Sequence, residues 1–119
     1  MKSVGDAFEE RAALWLQESG LRLLARNFRC RGGEIDIVVL DGECLVFIEV
    51  RRRSNPRFAG AAASVGWRKQ QRILRAAQLF LQRYPQWSAL PCRFDVVAFE
   101  PRQSAPDSAP LWIRAAFTT

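Results

Sequence analysis

Two carboxylates, Asp36 and Glu49, stand in neighbouring apolar β-prone runs, residues 34–40 (EIDIVVL) and 44–51 (CLVFIEVR), separated by Asp41-Gly42. Asp-Gly between two such runs is a strong signal for a tight hairpin. With Asp41-Gly42 as a two-residue turn, Leu40 pairs with Glu43 and Asp36 falls opposite Phe47. Side chains alternate along a strand, so Asp36, Glu49 and Arg51 then point from one face. Asp36 and Glu49 become diagonal neighbours with Cβ atoms roughly 7–8 Å apart. Two acids so placed repel each other unless a positive charge lies between them. A hard divalent cation, Mg²⁺ or Mn²⁺ in its place, takes oxygen ligands of this kind and fills its remaining positions with water. Such an ion can make a nucleophile of bound water. Arg51, Arg52 and Arg53 could instead neutralise the pair as a surface salt-bridge network, and the pattern alone leaves both readings open. Everything here depends on turn parity, because a register shift of one residue sends Glu49 to the face opposite Asp36.

Other charged residues border this pair. Glu9 precedes Ala12, Ala13 and Leu16 by three, four and seven residues, at the edge of an apolar helical stripe, so it either reaches inward or serves the positive end of the helix. Lys69 lies four residues before Ile73 on a second helical stripe; it could bring a compact cation to a phosphate near the carboxylates, or merely snorkel. Arg93 and Asp95 alternate along an apolar run and read as a structural ion pair. Trp67 lies next to the basic start of the second helix; it reads as a packing aromatic, with stacking on a nucleobase as the alternative.

Composition narrows the chemistry further. The 119-residue chain has no histidine, so triads, Cys-His dyads and His-containing zinc sites are excluded. Cys30, Cys44 and Cys92 are an odd number without Cys-x-x-Cys spacing and read as reduced thiols, which suits the cytoplasm. The acids among the first twenty residues do not suit a secretory signal, and no apolar run approaches the roughly 18 residues needed to span a bilayer. Net charge is +6, unevenly spread: residues 1–49 hold nine acids and six bases, whereas residues 50–94 hold ten bases and no acid. Sixteen of the eighteen bases are arginine, whose planar fork pairs with phosphate. The partner these features call for is a nucleic acid, with Arg52, Arg53, Arg68, Arg72 and Arg75 on its backbone. A membrane surface suits them less.

The elements that must position these residues follow from periodicity. Helical spacing covers residues 3–19, stopped by Gly20; a short strand is expected at 21–28, then the hairpin strands 34–40 and 44–51. A helix over 65–83 carries Ile73, Ala77, Phe80 and Leu81 on its core face and Arg68, Arg72 and Arg75 on another, ending at Pro85. Strands follow at 92–99 and 111–117, joined by a Pro-rich loop at 101–110. The order is that of one α/β domain spanning residues 1–119 on a mixed sheet.

Gly5 through Glu9 with Ala12, then Asn27, Gly33-Glu34-Ile35-Asp36, Val46-Phe47-Ile48-Glu49-Val50-Arg51, Lys69 and Arg93-Phe94-Asp95-Val96-Val97 together resemble the YraN family of bacterial predicted endonucleases. The resemblance spans roughly residues 3–117. It implies a restriction-endonuclease-like αβββαβ core with a mixed central sheet, of the PD-(D/E)XK superfamily and similar to archaeal Holliday-junction resolvases. It places the superfamily aspartate at Asp36, the glutamate of the Glu-x-Lys element at Glu49, the lysine position at Arg51, the helix-one glutamate at Glu9 and a helix cation at Lys69. Asp36, Glu49 and Glu9 would then be metal ligands. Homodimers are common in that class. Arg51 departs from the pattern, because a guanidinium keeps its proton and can position hydroxide or neutralise phosphate without acting as a base. The expected activity is Mg²⁺-dependent hydrolysis of phosphodiesters in DNA, branched DNA included. The alternatives are a nucleic-acid-binding module without chemistry and an adaptor for an acidic protein.

Overall fold

The computed structural model describes residues 4–52, 65–99 and 109–117, with residues 4–6 by backbone alone. Helix α1 (Val4–Glu18) precedes strands β1 (Arg22–Cys30), β2 (Gly33–Asp41) and β3 (Cys44–Arg52); helix α2 (Trp67–Arg83) then leads to β4 (Cys92–Phe99) and β5 (Leu111–Phe117). The strands form one sheet in the order β1-β2-β3-β4-β5. Only β3 and β4 run parallel, α2 lying in the connection between them; the other three neighbouring pairs are antiparallel. This is a mixed α/β fold compatible with the expected restriction-endonuclease-like architecture. No helix among the described residues is long and apolar enough to cross a membrane.

The helices cover opposite faces of the sheet. Ala12, Ala13 and Leu16 of α1 pack on Ile37, Val39, Val46, Ile48, Val97 and Phe99. Ile73, Ala76, Ala77 and Phe80 of α2 pack on Val38, Leu45, Phe47, Phe94, Val96 and Ala98. Strands β2 to β4 are therefore buried on both sides, which explains their nearly unbroken apolar runs. Helix α1 ends one residue before the expected position, because Gly20 at φ +96 lets Leu21 N–H reach the Leu16 carbonyl (3.1 Å) and Gly20 N–H the Gln17 carbonyl (3.0 Å).

The β2–β3 hairpin differs from the expected one in a way that matters. Asp41 pairs with Cys44, not Leu40 with Glu43, so the turn residues are Gly42 and Glu43. Gly42 has φ +61 at the first central position while Glu43 is not left-handed, the arrangement in which a Gly-first turn matches strand twist. Every partner thus moves by two, which preserves facing but alters neighbours. Asp36 and Glu49 come next after the Ile37–Ile48 pair, where the regular ladder ends, and their carboxyls are within hydrogen-bond reach.

Alternation breaks close to Asp36. Ile35 joins the α2-side core and Ile37 the α1-side core, although they are two residues apart. Asn27, across from Asp36 in β1, adopts φ +54. Gly33 lies so near α2 that a Cβ there would collide with the Arg72 carbonyl, and Arg75 Nε donates to the Arg31 carbonyl at 3.1 Å. The β1–β2 turn and α2 are fixed to each other by these contacts.

The expected Arg93–Asp95 pair is present and larger than anticipated. Fully buried Asp95 accepts from Arg93 Nε and Nη2, from Trp112 Nε1 and from the Ala115 N–H, each at 2.9 Å. Arg93 also donates to Asp41 at 3.0 Å. Burial of this carboxylate is tolerated because four donors satisfy it, and they tie β5 and the hairpin to β4.

Candidate functional site

Asp36 and Glu49 do come together. The Asp36 carboxylate accepts the Val50 N–H at 2.8 Å, taking a backbone donor beyond the last regular β2–β3 pair. Glu49 is 3% exposed on the α2-facing side of β3, and Lys69 Nζ lies 2.7 Å from its Oε1. The Glu49 carboxyl is pushed up to about 7, first by burial and then by the Asp36 charge, with a further rise from the hydrogen bond between the two carboxyls; Lys69 pulls the other way without cancelling them. Buried Glu49 therefore holds its proton more tightly than an exposed carboxyl would, with the Asp36 carboxyl as its hydrogen-bond partner.

Lys69 faces the sheet as its place on the α2 stripe implied, and its half-exposed amine stands between solvent and Glu49. Arg51, half-buried, lies two residues beyond Glu49 on β3 and pairs in register with Ala98. Arg68, Arg72 and Arg75 are exposed on α2. Arg52 is exposed toward the α1 side, its guanidinium 5.6 Å from the Phe8 ring centre, so it stands apart from the α2 arginines. Arg53 lies outside the described residues. Glu9 is in the second turn of α1, too late for a first-turn cap, and its Oε2 is buried. It belongs to the helix on the opposite face from α2, and among the described residues no group of three or more acidic or cysteine side chains gathers as a metal cluster.

Three features escaped the sequence reading. The Val50 N–H that orients Asp36 follows from the opening of the β2–β3 ladder, which the pattern does not encode. The contact of Gly33 with α2 was signalled only by a glycine starting a strand. Trp67, read as packing, is 72% exposed.

The arrangement brings two carboxyl groups together, with a lysine at their edge and exposed arginines on the adjoining helix. A mainly apolar groove of about 620 Å³, lined by Phe47, Leu74, Leu81, Cys92 and Phe94 among others, lies along α2 and does not include Asp36 or Glu49. Gln71, Arg75 and Gln78 also line that groove, which is separate from the carboxylate pair.

Residues 8–99 match the Uncharacterised protein family UPF0102, a span that contains Glu9, Asp36, Glu49, Arg51 and Lys69. The chain is 56% identical over 99 residues to a UPF0102 protein of Janthinobacterium sp. (strain Marseille), covering 83% of this chain and 79% of that one. It is 51% identical over 116 residues to a UPF0102 protein of Stutzerimonas stutzeri (strain A1501), covering 98% and 95%. With a UPF0102 protein of Pseudomonas putida (strain GB-1) it shares 51% over 114 residues, covering 95% and 91%. The chain belongs to the UPF0102 family.

Proposed function

We propose that the protein is a Mg²⁺-dependent endonuclease that hydrolyses phosphodiester bonds in DNA, branched DNA included, as the resemblance to the YraN predicted endonucleases and the PD-(D/E)XK superfamily suggests. The observation that carries this reading is the Asp36–Glu49 pair: two facing carboxylates, one held near 7 by burial and by its neighbour's charge, beside an arginine-bearing helix. Lys69, 2.7 Å from Glu49, lowers that carboxyl without cancelling the rise from burial and from Asp36.

The donor set fits a hard divalent cation. Asp36 and Glu49 would hold it, and the resemblance adds Glu9. When bound, the ion supplies an acidified water and neutralises charge on the scissile phosphate. The remaining tasks fall to the chain's own groups. The Val50 N–H fixes the orientation of Asp36. Lys69 holds Glu49 in place and offers its ammonium to a phosphate oxygen. Arg51 neutralises charge on the pentavalent phosphate, and it cannot take a proton from water. Arg68, Arg72 and Arg75, with Arg52 and Arg53, hold the DNA backbone. The reading places the protein in a reducing cytoplasm, in keeping with three free cysteines. By resemblance alone it also includes a homodimer.

Arg51 at the lysine position favours a second reading, in which the scaffold binds nucleic acid without cleaving it. One experiment separates the two: incubation of purified protein with duplex, single-stranded, flap, hairpin and four-way-junction DNA in Mg²⁺ or Mn²⁺, with Asp36→Ala as control. Cleavage by the wild type, abolished in Asp36→Ala while binding persists, supports the nuclease. Steeply salt-dependent binding with every substrate left intact supports the binding module.

A further inference from the structure

We propose that Trp67 is a base-stacking residue, whose indole receives an unpaired nucleobase from a strand lying on the α2 arginines, so that the site prefers single-stranded or branched nucleic acid to continuous duplex. This rests on the nucleic-acid reading above and adds to it the class of substrate.

Tryptophan is usually largely withdrawn from water. Three of the four here have ring partners. Trp15 and Trp112 meet edge-on at 5.4 Å, the Arg114 guanidinium lies 3.7 Å from the Trp112 ring centre, and that of Arg22 lies 5.9 Å from Trp87. Trp67 is 72% exposed and, among the described residues, stacks on no aromatic ring and under no cation. Gln70 and Gln71 follow it by one turn, Leu74 of the apolar groove by two, and Arg68 beside it is exposed. An isolated aromatic among cations suits a single-strand-binding surface, where every base presents a π-face. An apolar protein interface would group it with other large hydrophobic side chains.

Position strengthens the case. Trp67 is the first residue of α2, and Lys69, in the same turn, reaches Glu49. The indole and the carboxylate pair therefore flank one helix end on opposite sides, more than a helix diameter of about 10–12 Å apart, several nucleotide steps. Residues 50–94 contain no acid to repel the connecting phosphates. Bases inside a duplex are already stacked on one another, so an unpaired base is the one with a face to offer.

The test is fluorescence anisotropy of a labelled oligonucleotide, as single strand and as duplex, in EDTA, with wild type, Trp67→Ala and Trp67→Phe over a salt series. Trp67→Ala is expected to lose about tenfold or more in affinity for the single strand while duplex binding stays nearly unchanged. Trp67→Phe should restore most of the loss, and the salt slope should not move, since no cation is removed. If wild type binds both forms and Trp67→Ala binds the single strand as tightly, the stacking role is overturned while nucleic-acid binding stands. Equal losses on both forms overturn it as well. Wild type that binds neither form overturns the nucleic-acid reading itself.

Discussion

Replacing Glu49 by glutamine should make the protein more stable at pH 8 and affect it much less at pH 5. The side chain is 3% exposed and its carboxyl is pushed from 4.5 up to about 7. An acid that holds its proton more tightly in the fold than in the unfolded chain gives the folded state the larger number of bound protons between those values. Stability therefore falls as pH rises through that window, and the loss is complete above about 7. A difference of about 2.5 pK units corresponds to roughly 3 kcal/mol, a figure in which the help from Lys69 is already included. Glutamine is neutral at every pH, close in shape, and can still accept from Lys69 Nζ. Glu49→Gln should therefore gain about 3 kcal/mol over wild type at pH 8 and under about 1 kcal/mol at pH 5. The measurement is urea unfolding of both proteins at the two pH values in EDTA, with the m-values checked for equality. A variant less stable than wild type at pH 8, or a difference that does not change with pH, would refute the reasoning. The expected outcome is a carboxylate kept at a cost to stability, which is how groups retained for activity often behave.

Three other substitutions probe the surrounding structure. Asp36→Asn removes the charge that helps raise Glu49, so the loss of stability between pH 5 and pH 8 should shrink; a slope equal to that of wild type in urea titrations would contradict the coupling. Gly33→Ala forces a methyl group against the Arg72 carbonyl and should cost about 1–3 kcal/mol, read as a lowered denaturation midpoint; an unchanged midpoint would show that α2 is not fixed there. Asp95→Ala leaves the Arg93 guanidinium and the Trp112 and Ala115 N–H groups short of an acceptor and should cost about 3–5 kcal/mol in equilibrium unfolding, whereas a loss under 1 kcal/mol would mean that the network relaxes easily.

Much of the fold was legible because its elements carry strong periodic signals. Strands β4 and β5 fall on the expected residues 92–99 and 111–117, and α2 differs from the expected helix only in its first two residues. The hairpin was recognised from Asp41-Gly42, but its register was two residues off. A glycine preceded by aspartate fits either the first or the second central position, and only the backbone shows that Gly42 takes the first. Facing survived the error because the shift was even, so Asp36 and Glu49 still meet, closer than expected. The break in alternation at Ile35–Ile37 was invisible, since both residues are isoleucine and buried on either face. Trp67 was misread for a related reason: an aromatic at a helix start looks the same whether it packs or projects. The sequence put Lys69 on a core-facing stripe and left open whether it approached the carboxylates or snorkelled; the structure brings its amine to Glu49.

Whether Asp36 and Glu49 together hold a divalent cation is tested most directly by titrating Mn²⁺ into wild type, Asp36→Asn and Glu49→Gln and following the free ion by electron paramagnetic resonance. Saturable uptake by wild type, competed by Mg²⁺ and lost in both variants while their circular dichroism stays native, is the expected result. Wild type that takes up no Mn²⁺, or variants that take it up as well as wild type does, would contradict the assignment of these two carboxylates as a metal site.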